Sequence, residues 1–200
     1  MSSVPASFRL VLSAARAALI VSTVAVAPAL RAQSAQPYSI QLAALFTAIK
    51  GGNTTITGAG VEPQIRFNRL YATEAFGALS LGLGGQYTSH SKGSDNLKIT
   101  GIFLEPRYVP AIRSRIVSPY ISARLALLQL KADFQNAADG SSTGSGFGLG
   151  VGLAAKLTRT ANLDAGVQLV RQQFGDIGSV SFKPFSTSAA KIGITLGFPR

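Results

Sequence analysis

The stretch Gly146-Phe147-Gly148-Leu149-Gly150-Val151-Gly152-Leu153-Ala154-Ala155-Lys156-Leu157 places an apolar side chain at every second position. The intervening residues are glycine, alanine or lysine. Successive side chains of a β-strand point to opposite faces, so the pattern predicts a strand with one apolar face. Strands of soluble sandwiches usually carry polar residues opposite that face. Glycines there favour a strand between lipid and a crowded or wet interior.

The N-terminal segment has the composition of an export signal. Arg9 and Arg16 precede a short apolar run over residues 17–29, and no acidic residue occurs before Glu62. A basic start, a short apolar run and small residues near a cleavage point are typical of a secretory signal peptide. A transmembrane anchor is the alternative, but such a helix needs about 20 apolar residues. We therefore predict that the mature protein is exported.

The predicted cleavage point lies in Leu30-Arg31-Ala32-Gln33, after Ala32, and cleavage after Ala35 is the alternative. The chain is then divided into a signal peptide over residues 1–32 and one mature domain over residues 33–200. One domain is what a mature chain of this length predicts.

The chain of 200 residues has a formal net charge of +11 and contains no cysteine. Removal of Arg9, Arg16 and Arg31 with the signal peptide leaves a mature charge of 11 − 3 = +8. Export argues against a nucleic-acid partner, and membrane phosphates are the anionic partner that we expect. No mature segment is apolar enough for a membrane helix, so a membrane location would require a closed barrel.

The same alternation recurs along the mature chain and predicts eight strands. They have the length of strands in the smallest membrane barrels. The predicted fold is all-β, an eight-stranded antiparallel up-and-down transmembrane β-barrel. Its strands cover Tyr38–Ile49, Val61–Asn68, Gly77–Thr88, Lys98–Val109, Pro119–Gln129, Gly146–Leu157, Leu163–Leu169 and Ala190–Phe198.

The predicted linkers alternate in character. Those after the first, third, fifth and seventh strands are rich in glycine, serine, asparagine and aspartate, whereas the link over residues 158–161 is short. Long outer loops and short periplasmic turns are typical of barrels with both termini in the periplasm. The predicted outer loops cover residues 51–55, 89–96, 132–145 and 175–187.

The strand pattern, together with the closing segment Lys191–Phe198, resembles the small eight-stranded outer-membrane barrels of the OmpA/OmpX type. The resemblance covers nearly the whole mature chain. It implies a location in the cell outer membrane. It also implies insertion by the barrel-insertion machinery, which would recognise the C-terminal strand ending at Phe198. We expect a monomer.

Outward-facing aromatic residues fall near both ends of the predicted strands. Aromatics favour strands in general, but two girdles at the two interfaces are expected of a membrane barrel. We predict a periplasmic girdle of Tyr38, Phe67, Tyr108 and Phe198 and an outer girdle of Phe46, Tyr87 and Phe147.

The inward faces carry charged side chains, in an interior that eight strands make just wide enough for side chains to fill. Charges there must pair with one another or meet water. We interpret them as a structural salt-bridge network, with a narrow path for solutes or ions as the alternative. The predicted network comprises Glu62, Arg66, Glu105, Arg107, Arg124, Lys156, Asp164 and Lys191.

No catalytic or metal-binding set stands out. His90 is the single histidine, and Lys92 stands where lipid A deacylase barrels have the serine of a His-x-Ser pair. We predict that His90 is a solvated loop residue and that the protein is not an enzyme. No spacing suits a metal site, and we expect no cofactor.

A ring of cations is predicted where the strands meet the outer loops. Lys50, Lys98, Lys131 and Arg171 all have the parity of lipid-facing positions. Cations at that depth would meet the phosphates of lipopolysaccharide. Plain solvation at the loop bases is the alternative.

These features predict an outer-membrane barrel with a structural or surface-interaction role through its extracellular loops. A narrow porin-like channel is the alternative. A lipid-modifying enzyme is disfavoured by the missing catalytic set, and a secreted lipocalin-like binder is disfavoured by the charged interior.

Overall fold

The computed structural model describes residues 36–51, 54–73, 75–92, 95–112, 114, 116–133, 140–177 and 183–198. The described residues form eight strands, each antiparallel to the next, and β1 pairs with β8 to close the ring. The predicted eight-stranded up-and-down barrel is confirmed. The predicted signal peptide and both cleavage sites lie outside the described residues. The strands are β1 (Tyr38–Gly51), β2 (Thr54–Thr73), β3 (Gly77–Lys92), β4 (Asp95–Pro110), β5 (Val117–Asp133), β6 (Gly140–Lys156), β7 (Ala161–Phe174) and β8 (Phe185–Phe198).

The register of the ladders fixes how far the strands are staggered. Following cross-strand partners from Lys50 through β8, β7 and each further strand returns to β1 at Ile40. The displacement along β1 is therefore 50 − 40 = 10 residues. A closed barrel with such a stagger has strands tilted by about 35–45° to its axis.

Side chains alternate between the two faces with the predicted parity. In β6, Phe147, Leu149 and Val151 are 55%, 62% and 54% exposed, while the glycines between them face the interior. The predicted girdle residues all point outward, and the Tyr38 and Phe67 rings meet edge to face at 5.8 Å. The apolar face is therefore the outside of the barrel. No described residue belongs to a helix long and apolar enough to cross a membrane.

The outer end of the barrel is the end that carries the β1–β2, β3–β4, β5–β6 and β7–β8 links. The strands extend further at this end than predicted. Strand β2 begins at Thr54, seven residues before the predicted start, and β6 begins at Gly140. The prediction of long outer loops from polar composition is wrong at these ends. A ladder can continue beyond the apolar band, because outward side chains there no longer need to be apolar. The links shrink to residues 52–53, 93–94, 134–139 and 175–184.

The interior has two layers along the barrel axis. Charged and polar side chains fill its middle and periplasmic part. An apolar cluster, which the sequence interpretation missed, occupies much of its outer part beside buried polar side chains such as Thr47 and His90. The cluster contains Ile49, Ile99, Phe103, Ala126, Leu128, Leu130, Ala132, Phe174 and Ile177, with Leu97 and Phe185 packed against it.

Candidate functional sites in the lumen and at the outer end

Seven of the eight predicted lumen charges come together inside the barrel. They lie on five strands, and each residue is at most 6% exposed. Inward parity alone places them there, because the inward residues of all strands converge on one axis. The set, called the lumen network below, comprises Glu62 and Arg66 of β2, Glu105 and Arg107 of β4, Arg124 of β5, Asp164 of β7 and Lys191 of β8.

Glu105 is the centre of the lumen network. Its carboxylate lies 2.6 Å from the Arg66 guanidinium and 2.7 Å from that of Arg124. The Lys191 ammonium lies 3.0 Å away and the Arg107 guanidinium 3.3 Å away. One carboxylate thus receives four cationic partners, and among the described residues Arg66 has an ion pair with no other carboxylate.

Glu62 shares two of these cations. Its carboxylate lies 2.7 Å from Arg124 and 3.0 Å from Lys191. The Arg124 guanidinium also lies 3.9 Å from the centre of the Phe103 ring, where a cation is attracted by the face of the ring. Phe103 belongs to the apolar cluster, so this contact joins the two layers of the interior.

Asp164 extends the lumen network across the barrel. Arg107 donates to it at 2.7 Å, and the Tyr120 hydroxyl donates to it at 2.7 Å. The Arg107 guanidinium lies 3.7 Å from the centre of the Tyr120 ring. Tyr120 has inward parity in β5, but the sequence does not reveal this role, because β5 and β7 are separated by β6. Tyr120 crosses Gly152 of β6, where even a methyl group would overlap its ring.

Inward glycines also make room in β3. A Cβ atom at Gly82 would overlap the side-chain amide of Gln64 and lie 3.0 Å from the Arg66 guanidinium, so the missing side chain leaves space that Gln64 and Arg66 share. The missing side chain at Gly82 thus helps to accommodate Arg66 in the interior. In β6 the space is taken instead by Tyr120 and by neighbours such as Val170.

Lys156 is the one predicted network residue that does not lie in the lumen network. It is half-buried at the periplasmic end of β6, and none of the ion pairs among the described residues includes it. Its parity is inward, but at the strand end the interior meets water and an ammonium needs no buried partner.

The prediction that His90 is a solvated loop residue is wrong. His90 lies in β3, is 1% exposed, and its Nε2 lies 2.7 Å from the Thr47 hydroxyl. Thr47 and His90 are both cross-strand partners of Gly58, and a Cβ at Gly58 would overlap the imidazole. Strand β3 continues beyond the apolar band, and His90 has inward parity there. Its imidazole therefore points into the barrel and reaches Thr47 across Gly58.

The four predicted rim cations all lie at the outer end of the barrel wall. Lys98 is the direct cross-strand partner of Lys131, and its ammonium lies 3.7 Å from the exposed carboxylate of Asp133. Lys50 and Arg171 are both partners of Ser186 in β8. The cations thus form two groups, one on β4 and β5 and the other around β8.

The described residues assemble no cluster with the composition of a metal site. Within the ranges that the structure describes, no group of three or more histidine, aspartate or glutamate side chains is placed to hold a metal ion. The buried carboxylates are engaged by guanidinium and ammonium groups instead.

Known families account for this architecture. The chain matches the family described as outer membrane protein beta-barrel domain over residues 17–198. The chain belongs to this family. It is therefore an outer-membrane β-barrel protein, and the predicted resemblance is confirmed. No curated protein matches the chain.

Several solved structures share the fold. Neisserial surface protein A is similar with a TM-score of 0.62 and 22% identity, over 81% of this chain and 97% of that chain. Ail, the attachment invasion locus protein of Yersinia pestis, was solved in complex with the heparin analogue sucrose octasulfate. It is similar with a TM-score of 0.53 and 12% identity, over 80% of this chain and 96% of that chain.

Proposed function

We propose that this outer-membrane barrel is a non-enzymatic surface protein that associates with lipopolysaccharide through the cations of its outer rim. The observation that carries the proposal is the position of Lys50, Lys98, Lys131 and Arg171. All four are on the outward face, at the end of the barrel where the strands leave the apolar band. Each cation near an anionic membrane surface contributes about 1 kcal/mol.

The interior supports a closed barrel rather than a channel. Ions moving along the axis would have to pass the lumen network and then the apolar cluster around Leu128 and Leu130. Dispersal of these packed groups would leave charges unpaired and apolar side chains in water. The outer end of the barrel, not the lumen, is therefore the surface that we assign to function.

A binding titration tests the proposal. The variant with all four rim cations changed to glutamine should fold but bind purified lipopolysaccharide more weakly at low salt. High salt should reduce the difference, because salt screens charges at an exposed surface. Arg159→Gln is the single-charge control, since Arg159 is exposed in the periplasmic turn between β6 and β7. Equal binding by wild type and the quadruple variant at low salt would refute the proposal.

A competitor separates glycolipid from polyanion binding. Sucrose octasulfate, the ligand in the Ail complex, is a suitable competitor because it is a sugar with many negative charges. At 12% sequence identity, the similarity between this chain and Ail concerns the fold alone. If sucrose octasulfate displaces lipopolysaccharide completely, the rim recognises anionic sugars in general. If it displaces little, contacts with the lipid portion contribute as well.

We also propose the route by which the protein reaches the membrane. The signal peptide over residues 1–32 directs export, and the barrel-insertion machinery recognises β8, which ends at Phe198. The protein then remains a monomer. Mass spectrometry of the mature protein should find Gln33 at its N-terminus. Phe198→Ala should reduce the amount of inserted barrel, although it leaves the four rim cations unchanged.

A further inference from the structure

A groove runs along the outer half of the barrel wall over β4 to β7. Its deeper part is a cavity of about 550 Å³ with apolar walls that include Leu125, Leu127 and Phe147. Arg171 borders the same cavity from β7. A second, more open cavity of about 810 Å³ continues toward the outer end, where Thr100, Gln129 and Thr143 take part in its lining.

The groove arises from one small residue in a row of large ones. Leu127, Ser145 and Gln173 are successive cross-strand partners, and all three face outward. Ser145 is the smallest of the three, so the wall is depressed between its neighbours. The next row toward the periplasm, Leu125, Phe147 and Arg171, restores large side chains and closes the lower end.

Polarity changes in one direction along the groove. The lower cavity is bordered mainly by apolar side chains. The upper cavity is more polar, because hydroxyl, amide and backbone groups lie beside Ile102, Leu127 and Leu128 in its lining. Lys131 lies two residues beyond Gln129 on the outward face of β5. Lys98 lies two residues before Thr100 on that of β4. An amphiphile with its chains in the lower part and its polar head in the upper part would match this order.

The pair of Lys98 and Lys131 indicates an anion at the top of the groove. Like charges directly opposite on neighbouring strands destabilise a sheet. Asp133 lies near Lys98 at 3.7 Å, but one carboxylate offsets one of two ammonium groups. An anionic group between the two lysines would remove the remaining repulsion.

We propose that this groove binds the lipid A portion of lipopolysaccharide. One acyl chain lies over Ser145 between Leu127 and Gln173, and the phosphorylated sugar lies between Arg171 and the two lysines. This inference rests on the proposed function and adds the site to it. Phospholipids reach the same depth, but Arg171 and Lys131 pair with Phe147 and Ser141, which are 147 − 141 = 6 residues apart along β6. At about 3.4 Å per residue, a head with a single phosphate is too short to meet both cations.

Filling the groove tests the position of the acyl chain. Ser145→Phe should bind purified lipid A about tenfold more weakly, which corresponds to the lost burial of roughly two methylene groups. The same variant should bind fully deacylated lipopolysaccharide as wild type does, because that ligand has no chain to place. Ala59→Phe is the matched control, since Ala59 faces outward near the outer end of β2 and borders neither cavity. Ser145→Leu serves as a second, smaller filling variant.

The outcomes separate this inference from the proposed function. If Ser145→Phe and Ser145→Leu keep wild-type affinity for lipid A while the quadruple rim variant loses it, the groove is not the site and the rim proposal stands. If the quadruple variant binds as wild type does, both fall. If phosphatidylglycerol binds to the wild type as tightly as lipid A, the assignment to lipid A is overturned.

Discussion

Replacement of Glu105 by glutamine tests the role of the lumen network. The substitution keeps the shape of the side chain and removes its charge. The lumen network holds four cations and three carboxylates, so its net charge rises from 4 − 3 = +1 to 4 − 2 = +2. Arg66 loses the single carboxylate partner that it has among the described residues. Breaking a buried ion pair by removing one partner costs about 3–5 kcal/mol, and the amide oxygen still accepts hydrogen bonds, so we expect about 3 kcal/mol.

Two further variants show whether the loss comes from the buried charge. Glu62→Gln should cost less, about 1–2 kcal/mol, because Arg124 and Lys191 both keep Glu105 as a partner. The double variant Arg66→Gln with Glu105→Gln restores a net charge of 3 − 2 = +1. It should recover part of the loss, which a double-mutant cycle measures directly.

Urea titration of barrels refolded into lipid vesicles gives these free energies of unfolding. The chain contains no tryptophan, so the folded fraction is followed by circular dichroism and by the migration of unheated samples in gels. A Glu105→Gln barrel within about 0.5 kcal/mol of wild type would refute the reasoning, because such a change is typical of a surface substitution.

Three further predictions concern the wall, the outer lumen and conduction. Leu149→Arg should destabilise the barrel by about 2–4 kcal/mol, since it places a cation against lipid. Gly150→Ser should cost less, because the Ser122 hydroxyl can turn away and the other near atoms, Val167 O and Gln168 Cβ, lie 3.1 and 3.2 Å from the added Cβ; equal folding yields in vesicles would contradict the face assignment. Gly58→Ala should displace the imidazole of His90 and cost about 1–3 kcal/mol by overpacking, which a urea titration against wild type measures. Planar bilayers containing the wild-type barrel should show no stable single-channel steps, and regular steps would favour the channel interpretation.

The period-two pattern was sufficient to predict the faces of the strands, because side-chain direction in a strand is fixed by backbone geometry. Glu105, Arg107 and Arg124 could therefore be placed in the lumen before any contact was known. The link from Tyr120 to Asp164 could not be predicted, since it crosses an intervening strand. It depends on the register that brings Gly152 beneath the ring.

The outer ends of the strands and the apolar cluster could not be predicted from residue composition alone. Polar residues such as Thr54 continue a ladder as readily as they form a loop, so the predicted strands stopped short of their observed outer ends. A signal for the apolar cluster was present in β5, where Leu127 and Leu128 are adjacent and Leu130 follows on the inward face. Consecutive apolar residues in a strand indicate that both faces are buried, one of them in lipid and the other in the lumen.

Cysteine scanning of β5 tests the central claim, that the apolar outside of this closed barrel faces lipid and its inward side chains are shielded. The chain has no cysteine, so each introduced thiol carries the label at one position. Spin labels at residues 121, 123, 125 and 127 in vesicles should be accessible to oxygen dissolved in the bilayer, and labels at 122, 126 and 128 should be shielded. The same accessibility at all seven positions, or the opposite alternation, would contradict the register on which the lumen network, the outer rim and the groove all depend.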